Sequence, residues 1–503
     1  TLASPTVARF RMLPHPLRRW RSPLFALLFA LLAGVPVLAA DRTVEREQFR
    51  AALAAASRLP EGAWKKLAAG LDPRYPLYPY LELTALRLRL ARLDRGEVER
   101  FLARWPDTLA ASDLRDAWLR ELARRDDWPT FRAFWKGGND RDLQCDELQA
   151  RLAAGAKLDY DSDLRALWQS PGALPDACDP VFAAARSQGV LDDARVWERL
   201  RRAAAGGHVA TTAAAASMLG GAERIAADRF VAALRDPVAT FARAAAWDDD
   251  ARARDALAYG LARYAGRNSA AAETAWAALE ARFRWDDAQK DRVLNALALY
   301  RATSYSPDAL ARLKALPAEA DDDATREWRV RIALAGGDFA DTLAALDRLS
   351  GTQQVDPRWR YLRARVLTRL GRRTEGDALF ADLAREANFY GFLAADRTGQ
   401  PYPICARTLA GDDAVEKALA RQPDLARAFE FRELGMLPQA RREWSFAMIR
   451  LDGNQRRLAA DQAYRRGWYD RAVFAYSADP DTQRLYEQHF PLGMENEVRR
   501  ESR

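Results

Sequence analysis

The chain has 503 residues, 78 basic against 70 acidic side chains, 15 tryptophans, three cysteines and three histidines. Ala, Leu and Arg dominate and long β-branched runs are missing, which excludes a buried parallel sheet and favours helix, where these side chains lose little freedom. The length exceeds one compact core, so several packed units are expected.

Residues 1–40 hold five arginines and no acid, so without them the charge is close to balanced. What remains alternates in sign along helical faces, as in Arg124-Arg125-Asp126-Asp127, and no basic block is interleaved with stacking aromatics. Nucleic acid is therefore not an expected partner. The same 40 residues have the three parts of a signal peptide: Arg18, Arg19 and Arg21, an apolar run from Leu24 to Leu32, and Val37-Leu38-Ala39 after Pro36. Cleavage would start the mature chain near Ala40 or Asp41. The alternative is an uncleaved anchor, but the run falls short of the roughly 20 residues that span a bilayer. The expectation is export to the periplasm with no stable membrane anchor after cleavage.

Beyond residue 41 the sequence reads as short amphipathic helices. Leu114, Trp118 and Leu122 line one helical face, and Trp128 opens a segment with Phe131, Phe134 and Trp135 on its apolar side. Turn signals separate them at Trp105-Pro106-Asp107, Gly137-Gly138-Asn139, Ser306-Pro307-Asp308 and Gly336-Gly337-Asp338. Export permits a disulfide, and Cys145 and Cys178 lie in adjacent helical segments, where a bridge would stabilise by about 3–4 kcal/mol on the loop-entropy account. Cys405 is left over. His15, His208 and His489 are scattered, so neither a metal site nor a cofactor is expected.

The alanine-rich stretch 208–280 permits close helix packing. Asp248-Asp249-Asp250 and Asp321-Asp322-Asp323 read as helix starts or exposed loops. From about residue 325 a loose repeat appears: Trp328 leads through Ala333 to Gly336-Gly337, and Trp359 through Ala364 to Leu370-Gly371. Leu434-Gly435 and Arg466-Gly467 end helices of similar length. An aromatic, a small residue and a glycine turn at such spacing predict stacked helical hairpins of tetratricopeptide type. The fold class is all-α, a superhelix of such hairpins.

Several phrases in order resemble the soluble lytic murein transglycosylases of the bacterial periplasm. They are Tyr75-Pro76-Leu77-Tyr78-Pro79-Tyr80-Leu81-Glu82, then Glu121 to Trp128, then Cys145, Leu167-Trp168 and Pro175-Asp176-Ala177-Cys178-Asp179, which resemble the family's paired cysteines. Asn388-Phe389-Tyr390-Gly391-Phe392-Leu393-Ala394-Ala395 is similar to the opening of the family's linker domain, and Arg484 to Leu492 to the junction before its catalytic domain. The resemblance implies a U-shaped or ring-forming superhelix over residues 41–385, a helical linker domain over 386–490, and the start of a truncated catalytic domain at 491–503. In the family one Glu protonates the glycosidic oxygen between N-acetylmuramic acid and N-acetylglucosamine, then serves as base while the muramyl 6-hydroxyl attacks, leaving a 1,6-anhydro end.

Here the sequence departs from the pattern. Glu501-Ser502 resembles the family's Glu-Ser pair, but it follows Phe490-Pro491-Leu492 too soon, and the Gly-Leu-Met-Gln and Ala-Tyr-Asn phrases do not follow. No residue is therefore assigned a catalytic role, and Glu501 is read as a coincidence. The expected function is a scaffold that holds peptidoglycan glycan strands, with other cell-wall proteins as further partners. The alternative is a periplasmic tetratricopeptide-like adaptor for a protein partner. No His, Cys or paired-acid set supports an enzyme hidden in the helical region.

Overall fold

The computed structural model describes residues 42–58, 62–404, 411–476, 485–493 and 495–502, so the signal segment and Cys405 lie outside the described residues. Every regular element among them is helical. The chain divides into two compact units, residues 1–85 and 86–503.

In the first unit Thr43–Ala56 packs on Ala63–Leu67. Phe49 and Trp64 are buried, and the Phe49 ring lies 5.6 Å from that of Tyr75. In the second unit every other helix stacks on the next: Gly221–Arg235 on Ala251–Ala265, that on Asp287–Thr303, and that on Asp323–Ala335. The helices between them, Pro237–Ala244, Ser269–Glu280 and Ala309–Lys314, pack alongside as a second layer. The alanines explain the closeness of the first layer. A Cβ at Gly260 would stand 2.9 Å from the Ala233 Cβ, so larger residues would force the two helices apart.

Asp supplies most of the side-chain caps among the described helices, because its carboxylate accepts a first-turn N–H that has no partner within the helix. Asp250 accepts from the Ala253 amide, Asp322 from Thr325 and Asp338 from Asp341. Glycine turns close the hairpins. Asp323–Ala335 turns into Phe339–Asp347 through Gly337 at φ +75°, and Pro357–Arg369 into Arg373–Leu383 through Gly371 at φ +81°. Only glycine adopts that backbone without steric cost. The repeat expected from residue 325 is thus made of helical hairpins.

The Asp triplets divide in an instructive way. Asp249 is partly exposed; burial pushes its pKa up, but hydrogen bonds from Arg284 and Arg254 outweigh that and hold it near about 2. The second triplet starts a helix, one of the two readings expected, with Asp322 as its cap, but Asp321 is not exposed. It is 3% exposed and pairs with Arg329 at 3.0 Å and Arg348 at 3.2 Å. Arg329 lies on the helix that the triplet starts and Arg348 just after the next one, Phe339–Asp347.

Residues Asn388 to Ala395 show why that phrase is spelled as it is. Asn388 caps Phe389–Thr398 by accepting from the Gly391 amide at 2.9 Å. Gly391 faces backbone: a Cβ there would lie 2.0 Å from the Glu386 carbonyl oxygen.

Candidate functional site

Cys145, on Arg141–Ala153, and Cys178, in the turn Asp176–Cys178, lie with their sulfurs at bonding distance and no exposed surface. They join a core with Leu164, Trp168 and Val181. Glu501 lies on the short helix Glu495–Glu501, largely in solvent and beside Arg500 at 3.2 Å. A carboxyl that protonates a leaving group works in a walled, water-poor site, and this one stands outside any such wall. All described tryptophans are buried or half-buried, and the buried ones build core.

Next to the cysteine pair lies a cavity of about 990 Å³. Its walls come from Arg165–Trp168, Asp179–Ser187, Asp193–Ala205 and Val209–Ser217 together with the turn that carries Cys178. Trp168 sets the wall. Its indole N–H donates to the Arg195 carbonyl at 3.0 Å, and its ring meets Phe182 edge to face at 5.0 Å. Arg199 lies over that ring at 4.9 Å and donates to the carbonyls of Trp168 and Ser170 at 2.6 and 2.9 Å. It therefore caps the end of a helix whose last carbonyls would otherwise be unpaired. Arg199 is 6% exposed, and among the described residues no carboxylate pairs with it. Burial, aided by Arg141, pulls its pKa down to about 10. Thr211 is 8% exposed and lines the same cavity; its hydroxyl makes no hydrogen bond among the described residues. At the rim Asp176 and Asp179 are exposed and have no ion pair there.

Sequence reasoning missed this cavity. Arg195, Arg199 and Arg202 recur at i, i+4 and i+7, which places them on one helical face, and that was the available signal. What they meet could not be read, since Trp168 lies about 30 residues away.

A second feature joins distant parts of the second unit. Arg442, on Leu437–Arg450, makes a two-pronged ion pair with Asp113 of Leu109–Arg124, one prong at 3.0 Å. Arg450 donates to the Asp107 carbonyl at 2.8 Å and pairs with Asp424 at 3.1 Å. Asp107 holds φ at +56°, a strained backbone for a non-glycine residue. Asp424 belongs to a buried cluster in which the Arg427 Nε donates to Glu443 at 2.8 Å. Partners this far out of water persist because each guanidinium satisfies a carboxylate.

Residues 418–479, which contain this cluster, match the family described as soluble lytic murein transglycosylase L domain. The soluble lytic murein transglycosylase of Escherichia coli K12 is 27% identical over 429 residues, and that of Salmonella typhimurium is 28% identical over 432; each match covers 83% of this chain. The chain is thus similar to the soluble lytic murein transglycosylases over most of its length. It spans 65% of the length of these two relatives. Among solved structures, the lytic transglycosylase Slt of Pseudomonas aeruginosa superposes with a TM-score of 0.77 at 28% identity, over 90% of this chain and 74% of that one. The 70-kDa soluble lytic transglycosylase of E. coli gives 0.79 at 23% identity, over 91% and 74%, which speaks for the fold. The chain therefore has the all-α fold of stacked helical hairpins that its sequence implied. Among the described residues no helix is long and apolar enough to cross a membrane.

Proposed function

We propose that the chain is the non-catalytic scaffold of a periplasmic lytic transglycosylase, which holds peptidoglycan strands and does not itself cut them. The observation that carries this reading is similarity to murein transglycosylases along nearly the whole described chain, in sequence and in fold. It is supported by the exposed position of Glu501. On this reading residues 1–40 are a cleaved signal peptide, residues 41–385 the superhelix and 386–490 the linker domain. Peptidoglycan is the partner, and Cys145 and Cys178 are bonded in the oxidising periplasm.

The test is co-sedimentation of residues 41–503 with purified sacculi. The reading predicts that the protein pellets with sacculi and stays soluble without them. A protein adaptor is the second reading, favoured by the exposed Ile449 and Phe474, which flank a pocket of about 500 Å³ between Leu437–Arg450 and Tyr469–Tyr476. Failure to pellet would move the balance to that adaptor.

A further inference from the structure

We infer that Phe389, Phe392 and Tyr402, with Asp396 beside them, bind an uncharged N-acetylated sugar ring of the glycan strand. This rests on the strand-holding reading and names where one sugar would sit.

Packing accounts for most of the stretch from Asn388 to Ala395. Asn388 caps the helix, Gly391 lies against backbone, and Ala394 and Ala395 are fully buried. Tyr390 packs its ring 5.8 Å from that of Tyr361. Phe389 is the exception, 68% exposed. Its place is nonetheless fixed, because the Asn388 cap and the close approach of Gly391 set where the helix starts.

Phe392 and Asp396 follow Phe389 at i+3 and i+7, on the same face of the helix. Gly399, at φ +65°, ends that helix and turns the chain back, which brings the Tyr402 ring to 5.3 Å from that of Phe392. Tyr402 is 47% exposed, and its hydroxyl donates to Asp396 at 2.5 Å. Asp396 is exposed, and among the described residues it accepts that one hydrogen bond and makes no ion pair. The adjacent Arg397 is engaged elsewhere, its Nε donating to the Tyr361 hydroxyl at 2.7 Å. An exposed aromatic face with an open carboxylate at its edge is the result, and such patches mark binding surfaces.

Size and chemistry select the occupant. Aromatic side chains bury about 150–250 Å² each when fully covered, so three partly exposed ones fall short of the roughly 800 Å² that each partner of a standard protein interface buries. An anionic ligand is opposed by Asp396. Rings set along one helix face do not surround a cation, so an ammonium would keep its water. A pyranose fits on both counts. Its C–H side, weakly positive, meets the negative ring faces, and its hydroxyls donate to the carboxylate.

The experiment is a titration of residues 41–503 with chitotetraose, the uncharged β-1,4-linked tetramer of N-acetylglucosamine, followed by ligand-observed NMR. Binding is expected, about tenfold weaker in Phe389→Ala and retained in Phe389→Trp. Asp396→Asn should weaken it about fivefold. Both positions are exposed, so the unfolding midpoints should not move. No binding, or unchanged binding to Phe389→Ala, would overturn the inference. Displacement of chitotetraose by tetramethylammonium would overturn it in favour of a cation, and dimers that Phe389→Ala dissolves would overturn it in favour of a second copy. Sacculi that pellet the protein while chitotetraose fails to bind would refute the sugar face alone; chitotetraose bound by a protein that sacculi leave in solution would refute the strand-holding reading alone.

Discussion

The Arg442–Asp113 contact joins helices whose residues are 329 apart in sequence, so breaking it should release one end of the second unit from the other. Asp113 is 11% exposed and Arg442 56% exposed. An ordinary surface pair contributes about 0.2–1 kcal/mol, and two-pronged geometry with one half-buried partner puts this one near the upper end, about 1 kcal/mol. The Arg450 bond to the Asp107 carbonyl adds about 1 kcal/mol more, as a bond from a charged donor. Losing both should raise the ratio of parted to joined molecules about tenfold or more. The assay is double electron–electron resonance between spin labels at Ala103 and Leu437 in a Cys405→Ser background. Arg442→Ala, Asp113→Ala and their double variant should broaden the distance distribution, with the double variant little worse than either single one. Raising salt to about 1 M, where the Debye length is about 3 Å, should do the same to the unaltered protein. A distribution that stays narrow in Arg442→Ala with Arg450→Ala, and at high salt, would show that apolar packing holds this contact and that the ion pairs are incidental.

Other regions give sharper single-site outcomes. Burial, helped by Asp142, raises the Asp146 pKa to about 6. The native state then holds this proton more tightly than the unfolded chain, so stability should fall as pH rises from about 4 to about 6 and stay lower above it. At about 1.4 kcal/mol per pKa unit the penalty is about 2–3 kcal/mol, and Asp146→Asn should recover much of it at pH 7.5 in urea unfolding and flatten the pH slope; an unchanged slope would refute the assignment. Gly391→Ala should cost about 3 kcal/mol or more, because backbone carbonyls rather than flexible side chains occupy the space, and near-normal urea unfolding would contradict the close approach. Alkylation of the unfolded, unreduced protein should label Cys405 alone, and reduction should lower stability by about 3–4 kcal/mol for a bridge across 33 residues. Labelling of all three cysteines would show that the pair is not oxidised.

Much of the fold was legible because it is local. Trp328, Ala333 and Gly337 declare a helix, its packing face and its stop within one stretch of chain. Asp322 and Asn388 mark helix starts by chemistry that acts over three residues. What stayed hidden depends on which helix meets which. Asp321 looks like any solvated acid until Arg329 and Arg348 close on it, and Asp424 and Glu443 look the same until Arg427 does. Arg199 was legible only as part of an arginine face, since periodicity reports the face of a helix and not what lies across it.

The most direct test of strand holding combines sedimentation with product analysis. Residues 41–503 would be incubated with purified sacculi, the pellet assayed for protein, and the supernatant examined by mass spectrometry for 1,6-anhydro muropeptides. The account predicts protein in the pellet and no anhydro product above a heat-killed control. Anhydro products that disappear in Glu501→Gln would contradict it and place cleavage within this chain, whereas protein left in the supernatant would contradict its claim on peptidoglycan.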